Sequence, residues 1–214
     1  MSAQPHWFAP PGRLGEGHPG TLNPVYERLD RAIIDGRADE PALAGIGPDG
    51  ARAELTVAEA LDRVAKIAGA LRLLAVGPGV PVRIASGVAP LTAELAALAV
   101  QRIGGTVVWG AGDAPGAPAA PVVIEPDAEE PAGASAAERG VHSAFAKPLR
   151  RLPSRVEGTR VRDERDGASL DALVRDGRIE PAAVEPLPAD QVIEIAADGA
   201  RTTALEAALS SRTR

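Results

Sequence analysis

Cysteine is absent from these 214 residues, which excludes a disulfide framework, thiolate chemistry and any cysteine-held metal. Aromatic side chains are scarce: Trp7, Phe8, Tyr26, Trp109 and Phe145 are all of them. The core must therefore be assembled from Ala, Val, Leu and Ile, within a hydrophobic content of 45%. Lysine is confined to Lys66 and Lys147, every other base being arginine. No apolar run reaches the ~18 residues that a membrane-spanning helix requires. The opening Met-Ser-Ala-Gln-Pro-His lacks a basic stretch leading into an apolar one, so no signal peptide is expected and the cytoplasm is the expected location. A net charge of −6 speaks against nucleic acid or an anionic membrane as the main partner. The arginines between Arg150 and Arg165 alternate with Glu157, Asp163 and Glu164, which reads as a solvated mixed-charge loop.

What is present divides into three parts. Residues 1–22 are rich in Pro and Gly and read as an extended arm, with Trp7-Phe8 as an apolar anchor on the domain. Residues 23–140 alternate strand and helix signals. Asn23-Pro24 opens a helix that Gly36 stops, with Val25, Leu29, Ala32 and Ile33 on one face. A strand from Pro41, a turn at residues 47–50 and a return strand at 53–55 follow. Thr56-Val57-Ala58-Glu59 is a capping box, and the helix it opens keeps Val57, Leu61, Val64, Ile67, Ala68, Leu71 and Leu74 at helical spacing. Residues 81–85, 106–109 and 121–124 read as strands, and 90–103 as a buried helix of small apolar residues. This alternation predicts an α/β domain with a mostly parallel central sheet and flanking helices. Residues 141–214 read as a loop-rich extension, with a short helix at 169–175, a linker at 181–188, a strand from Val192 and a final helix at 202–209.

The last of these elements is the one with chemical interest. A strand, a small-residue loop (Ala196-Ala197-Asp198-Gly199-Ala200) and a helix start form the layout of a phosphate-binding loop. This version has one glycine, no lysine and an aspartate. Arg201, Thr202 and Thr203 are the candidate phosphate contacts; the competing reading is a plain turn into a surface helix capped by Thr202. Other constellations are weaker. His6, His18 and His142 do not suggest a metal site. Ser86-Gly87 follows a strand but does not match a nucleophile turn. Gly110-x-Gly112 lacks the third glycine of a dinucleotide fingerprint. Asp127, Glu129 and Glu130 read as a solvated acidic loop more than as an acid–base pair.

Taken in order, several segments resemble the front of short-chain acyl-CoA synthetases, members of the adenylate-forming, AMP-binding superfamily. They are Trp7-Phe8 with Gly12-Arg13-Leu14, residues 26–31, 36–43, 55–61, 63–71 and 76–79, the block 98–110, and Leu187-Pro188-Ala189-Asp190. The likeness runs over most of this chain but only about the first third of a family enzyme. It implies the fold of the family's N-terminal subdomain. It also implies that a loop at residues 196–204 should wrap ATP phosphates with glycines and a lysine, yet alanines stand in its place and Asp198 brings a negative charge. Where the family uses arginines for coenzyme A, the segment past Ile124 carries Asp127, Glu129 and Glu130, with Arg139 the nearest base. The family's nucleotide-base and ribose contacts and its catalytic lysine would fall after Arg214.

The resemblance thus implies a truncated, non-catalytic acyl-CoA synthetase-like chain, a pseudoenzyme with no catalytic residues and no metal. Its partner would be another protein, a second copy, or an acyl- or adenylate-type small molecule. The alternative is one subunit of a split acid–CoA ligase completed by another chain, in which case ATP, AMP or coenzyme A would enter as cofactors. A decayed reading frame that folds without a task is the third reading.

Overall fold

Thr56 takes an extended backbone (φ −69°, ψ 168°) and its hydroxyl accepts the Glu59 N–H, while the Glu59 carboxylate returns to the Thr56 N–H at 3.0 Å. This reciprocal cap starts the longest helix among the described residues, as the sequence predicts. A computed structural model describes residues 21–110, 118–127, 153–164 and 166–210. The Trp7-Phe8 arm, the three histidines, Glu129, Glu130 and Arg139 lie outside the described residues.

The elements in chain order begin with β1 (Thr21–Leu22) and a π-helical turn (Tyr26–Asp30) that runs into α1 (Arg31–Ile34). Next come β2 (Pro41–Ile46), β3 (Arg52–Thr56), α2 (Val57–Leu73), β4 (Pro81–Ile84), α3 (Pro90–Arg102), β5 (Thr106–Trp109) and β6 (Val122–Pro126). The later half supplies β7 (Thr159–Arg162), β8 (Gly167–Ser169), α4 (Leu170–Arg175), β9 (Leu187–Pro188), β10 (Val192–Ile195), β11 (Arg201–Thr203) and α5 (Ala204–Ser210).

Seven strands form the main sheet in the order β11-β10-β5-β4-β6-β7-β8. Its middle is parallel, β10 with β5, β5 with β4 and β4 with β6, and antiparallel strands finish both edges. The expected α/β architecture is therefore present. The stretch read as a mixed-charge loop behaves differently at its end: Thr159–Arg162 pairs with β6 and carries β8 beyond it. The β2–β3 hairpin forms a separate two-stranded sheet, as does β1 with β9, so the linker at 181–188 ends in a pairing strand.

Alternation along the strands divides the residues between two faces. Val82 and Ile84 of β4, Val107 of β5, Val122 and Ile124 of β6 and Val161 of β7 join α2, α3 and α4 in one aliphatic core. The residues between them, Arg83, Val123 and Arg160, belong to the opposite face. Leu91, Leu95, Ile67 and Leu71 are fully buried in that core, as aliphatic packing in place of aromatics requires. A second, small cluster joins Leu22, Leu187, Ile193, Ala204 and Ala208, which fastens α5 to the β1–β9 pair.

Two buried polar side chains tie the segments together. Asn23, fully buried, caps the first helix by accepting the Val25 N–H at 2.9 Å. Its amide NH2 points at the carbonyls of Gln101 (3.0 Å), Arg102 (3.2 Å) and Glu185 (2.9 Å). Arg102 completes the knot through a bidentate pair with Asp30 and through its Nε, which donates to the Ala182 carbonyl at 2.8 Å. One corner thus binds the first helix, the end of α3 and residues 182–185.

Candidate functional site

In open α/β sheets, ligands gather outside the carboxyl ends of the parallel strands. Here β5 and β10 lie side by side, with Val108 opposite Ile195, so both end at the same rim of the sheet. Gly110 leaves β5 at φ +100°, and a Cβ placed on it would lie 3.3 Å from the Ala197 Cβ. Residues far apart in sequence are thereby brought together: the strand end at Trp109-Gly110 and the loop at 196–200.

That loop is a reverse turn between antiparallel strands, and three of its N–H groups are spent within it. Ala196 N–H donates to Ala200 C=O at 2.8 Å, and Gly199 N–H to Ala196 C=O at 2.9 Å. The Asp198 carboxylate accepts the Ala200 N–H at 2.9 Å. Gly199 has φ +87°, a left-handed turn position suited to glycine. A phosphate cradle needs several free N–H groups converging outward; in this turn those of Ala196, Gly199 and Ala200 are already engaged.

The three candidate phosphate contacts lie on β11, immediately after the turn. Arg201 is exposed and opposite Ile195; it has no ion-pair partner among the described residues. Thr202 is opposite Glu194. Thr203, not Thr202, caps the last helix. Its hydroxyl stands 3.3 Å from the Glu206 N–H as acceptor, and the Glu206 carboxylate accepts the Thr203 N–H (2.8 Å) and hydroxyl (2.9 Å). Those hydrogen bonds, the backbone one foremost, hold the Glu206 carboxyl below its ordinary value. The helix accordingly begins at Ala204 and not at Thr202. The reason is that Thr202 is used in the ladder with β10.

A functional group that composition did not point to sits beside this turn. Glu194, in the middle of apolar β10, accepts from Trp109 Nε1 at 2.9 Å and from Gln101 Nε2 at 3.2 Å. One carboxylate in an otherwise aliphatic Val-Ile-Glu-Ile strand was the available signal. It forms part of the wall of a cleft of about 850 Å3 together with Trp109, Pro90, Ala97 and Ala207. Arg28 and Glu94 pair across the same cleft at 2.7 Å. Arg37 and Glu40 also line it, so the cleft combines apolar patches with charges of both signs and can receive a molecule with polar and apolar parts.

None of the residues singled out in the sequence as site candidates lines this cleft, Arg201, Thr202 and Thr203 included. Asp127 stands past the end of β6, 3.9 Å from Arg160. Ser86 is exposed, and Gly87 beside it lies so close to Pro126 that a Cβ would come within 2.9 Å of the proline ring. No group of three or more potential metal ligands occurs among the described residues. No described helix is long and apolar enough to cross a membrane.

The chain is 41% identical over 93 residues to acetyl-coenzyme A synthetase of Streptomyces coelicolor. Part of this chain is acyl-CoA synthetase-like. The match takes in 42% of this chain and 14% of the synthetase. An uncharacterized protein of Pseudomonas aeruginosa is 37% identical over 116 residues, 49% of this chain and 18% of that protein. The chain thus spans less than a fifth of the length of either relative. No protein-family model matches it. Among solved structures, acetoacetyl-CoA synthetase from Streptomyces lividans is 36% identical over 42% of this chain and 13% of its own, with a TM-score of 0.36. An acyl-CoA synthetase from Brucella canis covers 86% of this chain and 33% of its own at 16% identity, with a TM-score of 0.48.

Proposed function

We propose that this acyl-CoA synthetase-like chain, on its own, carries no adenylating activity and serves as a binding scaffold. Its ligand is an acyl- or adenylate-type small molecule at the rim of β5 and β10, or a protein partner, a second copy of the chain included. The observation that carries this reading is the self-closed turn at 196–200. Stabilising a triphosphate requires cations and free donors placed where charge develops. This turn offers an aspartate, three amides already engaged at Ala196, Gly199 and Ala200, and the single exposed base Arg201. The relationship to the short-chain synthetases, as against other adenylate-forming enzymes, is proposed on the matched segments, and a cytoplasmic location goes with it.

Calorimetric titration with ATP, AMP and a short acyl-CoA, alongside pyrophosphate exchange with short-chain acids, tests the proposal. Binding of AMP or acyl-CoA without exchange is expected, or, failing binding, self-association in sedimentation. Exchange catalysed by this chain alone overturns it. Absence of every ligand together with a monomer at high concentration overturns both branches. Exchange that appears only with a second chain supplying a loop lysine would move the assignment to a split acid–CoA ligase.

A further inference from the structure

A second cleft, of about 880 Å3, opens between α2 and the turn after α4, and shares no lining residue with the cleft at Glu194. Its walls are apolar at Ala58, Pro153, Val174 and Ile179. Its charged groups are Glu59, Asp62, Arg63, Lys66, Arg175 and Asp176. Nearly all are engaged elsewhere. Asp62 holds Lys66 at 2.9 Å, Arg175 is held by Asp171 and Glu157, Asp176 grips Arg178, and Glu59 turns back to the Thr56 N–H.

Arg63 is the exception. It is 8% exposed, and its guanidinium gives hydrogen bonds only to two neutral carbonyls, Glu59 O at 2.9 Å and Pro153 O at 3.1 Å. No carboxylate lies within 4.0 Å of it among the described residues, and its Nε–H has no acceptor. A buried cation without a counter-ion, with a donor unspent, is costly unless something compensates it. Lys66, one turn further along α2, lines the same cleft and holds the Asp62 carboxylate there in its ion pair.

We propose that this cleft binds a small organic oxyanion, its carboxylate or phosphate head on the Arg63 guanidinium and its apolar body against Ala58, Val174 and Ile179. The head supplies the missing negative charge, and guanidinium geometry suits either oxyanion. Lys66 keeps the Asp62 carboxylate neutralised at the partly exposed side, so that it does not repel the head. The site is separate from the rim of β5 and β10, so it stands or falls independently of the scaffold reading.

The Nε–H of Arg63 is shielded from solvent and gives a direct signal in a proton–nitrogen correlation spectrum. Inorganic phosphate and butyrate are titrated at constant ionic strength into the full chain, with chloride as the control. A saturable shift of the Arg63 Nε–H resonance is expected with phosphate, butyrate or both, together with a ligand-dependent rise in melting temperature. A response to butyrate alone assigns a carboxylate head, and to phosphate alone a phosphate ester. Arg63→Lys should weaken binding by about tenfold or more, since hydrogen bonds to a charged group are lost. Because that variant replaces a buried residue, Lys66→Gln serves as the surface test and should weaken binding by a smaller factor. Arg72→Gln, at the other end of α2, should leave affinity unchanged. No shift, or an equal shift with chloride, overturns the proposal, as does unaltered affinity in both Arg63→Lys and Lys66→Gln.

Discussion

Arg102 grips Asp30 with both ends of its guanidinium, Nη1 to Oδ2 at 2.8 Å and Nη2 to Oδ1 at 3.1 Å, at side-chain exposures of 7% and 19%. A pair this sheltered is worth little over an apolar replacement of both partners, but removing one partner strands the other. Arg102→Met should therefore cost about 3–5 kcal/mol in urea denaturation, because Asp30 and the Ala182 carbonyl both lose their donor. Adding Asp30→Leu should recover part of that loss. A double variant no more stable than Arg102→Met would show that the pair is not coupled.

Asn23 aims its NH2 at three carbonyl oxygens. Asn23→Asp keeps the shape and swaps donors for acceptors, so oxygen would face oxygen in a fully buried position. That substitution should destabilise by more than Asn23→Ala, which leaves the carbonyls unsatisfied without adding charge. Equal midpoints in chemical denaturation for the two variants would contradict this account of the corner.

Gly69 lies on the face of α2 where the 179–182 segment crosses. A Cβ there would come 2.1 Å from the Glu180 carbonyl oxygen, a backbone atom that cannot turn away. Gly69→Ala should cost at least the about 1–3 kcal/mol typical of overpacking, whereas Gly77→Ala, which meets open space, should be near neutral or slightly stabilising. Thermal unfolding of the two variants side by side makes the comparison.

Thr203 and Thr202 are neighbours with different duties. The Glu206 carboxyl is held below its ordinary value by the Thr203 backbone N–H and then its hydroxyl. A carboxylate with a depressed folded pKa stabilises above its unfolded value of 4.5, and that contribution is lost as pH falls through the folded value. Thr203→Ala removes the hydroxyl and should raise the Glu206 pKa toward 4.5, while Thr202→Ala should leave it in place. Carboxyl titration by NMR distinguishes them; a shift caused by Thr202→Ala instead would reassign the cap.

Local signals were the legible ones. The Thr56–Glu59 box, the aliphatic stripe of α2 and the short apolar strands around α3 each follow from residues a few positions apart, and each is where the sequence puts it. Thr203-x-x-Glu206 is the same box, but it is obscured because Thr202 next to it competes for the role and the segment also reads as a phosphate loop. Strands β7 and β8 escaped because Thr159-Arg160-Val161-Arg162 buries only alternate residues at the flank of the sheet, and arginines on the other face resemble a solvated loop. Local pattern marked Glu194 as an odd carboxylate in an aliphatic strand but could not name its partners: Trp109 reaches it across 85 positions and Gln101 across 93. The π-turn at Tyr26–Asp30 has no residue signature distinguishing it from an ordinary helix.

The place of β10 sets an order of events in time. The strand enters parallel to β5, and the Thr106 hydroxyl donates to the Val192 carbonyl across 86 positions at 2.8 Å. Strands β4, β5 and β6 and the helices over them can assemble from the earlier chain, but β5 keeps a bare hydrogen-bonding edge until β10 arrives. Closing so long a loop is entropically slow compared with forming a hairpin. During synthesis, therefore, the row from Val107 to Trp109 stays open to the wrong neighbour, another nascent copy included, for as long as the later residues are still to come. The strand that covers this edge is the last but one of the described strands to be made, and only β11 is laid outside it.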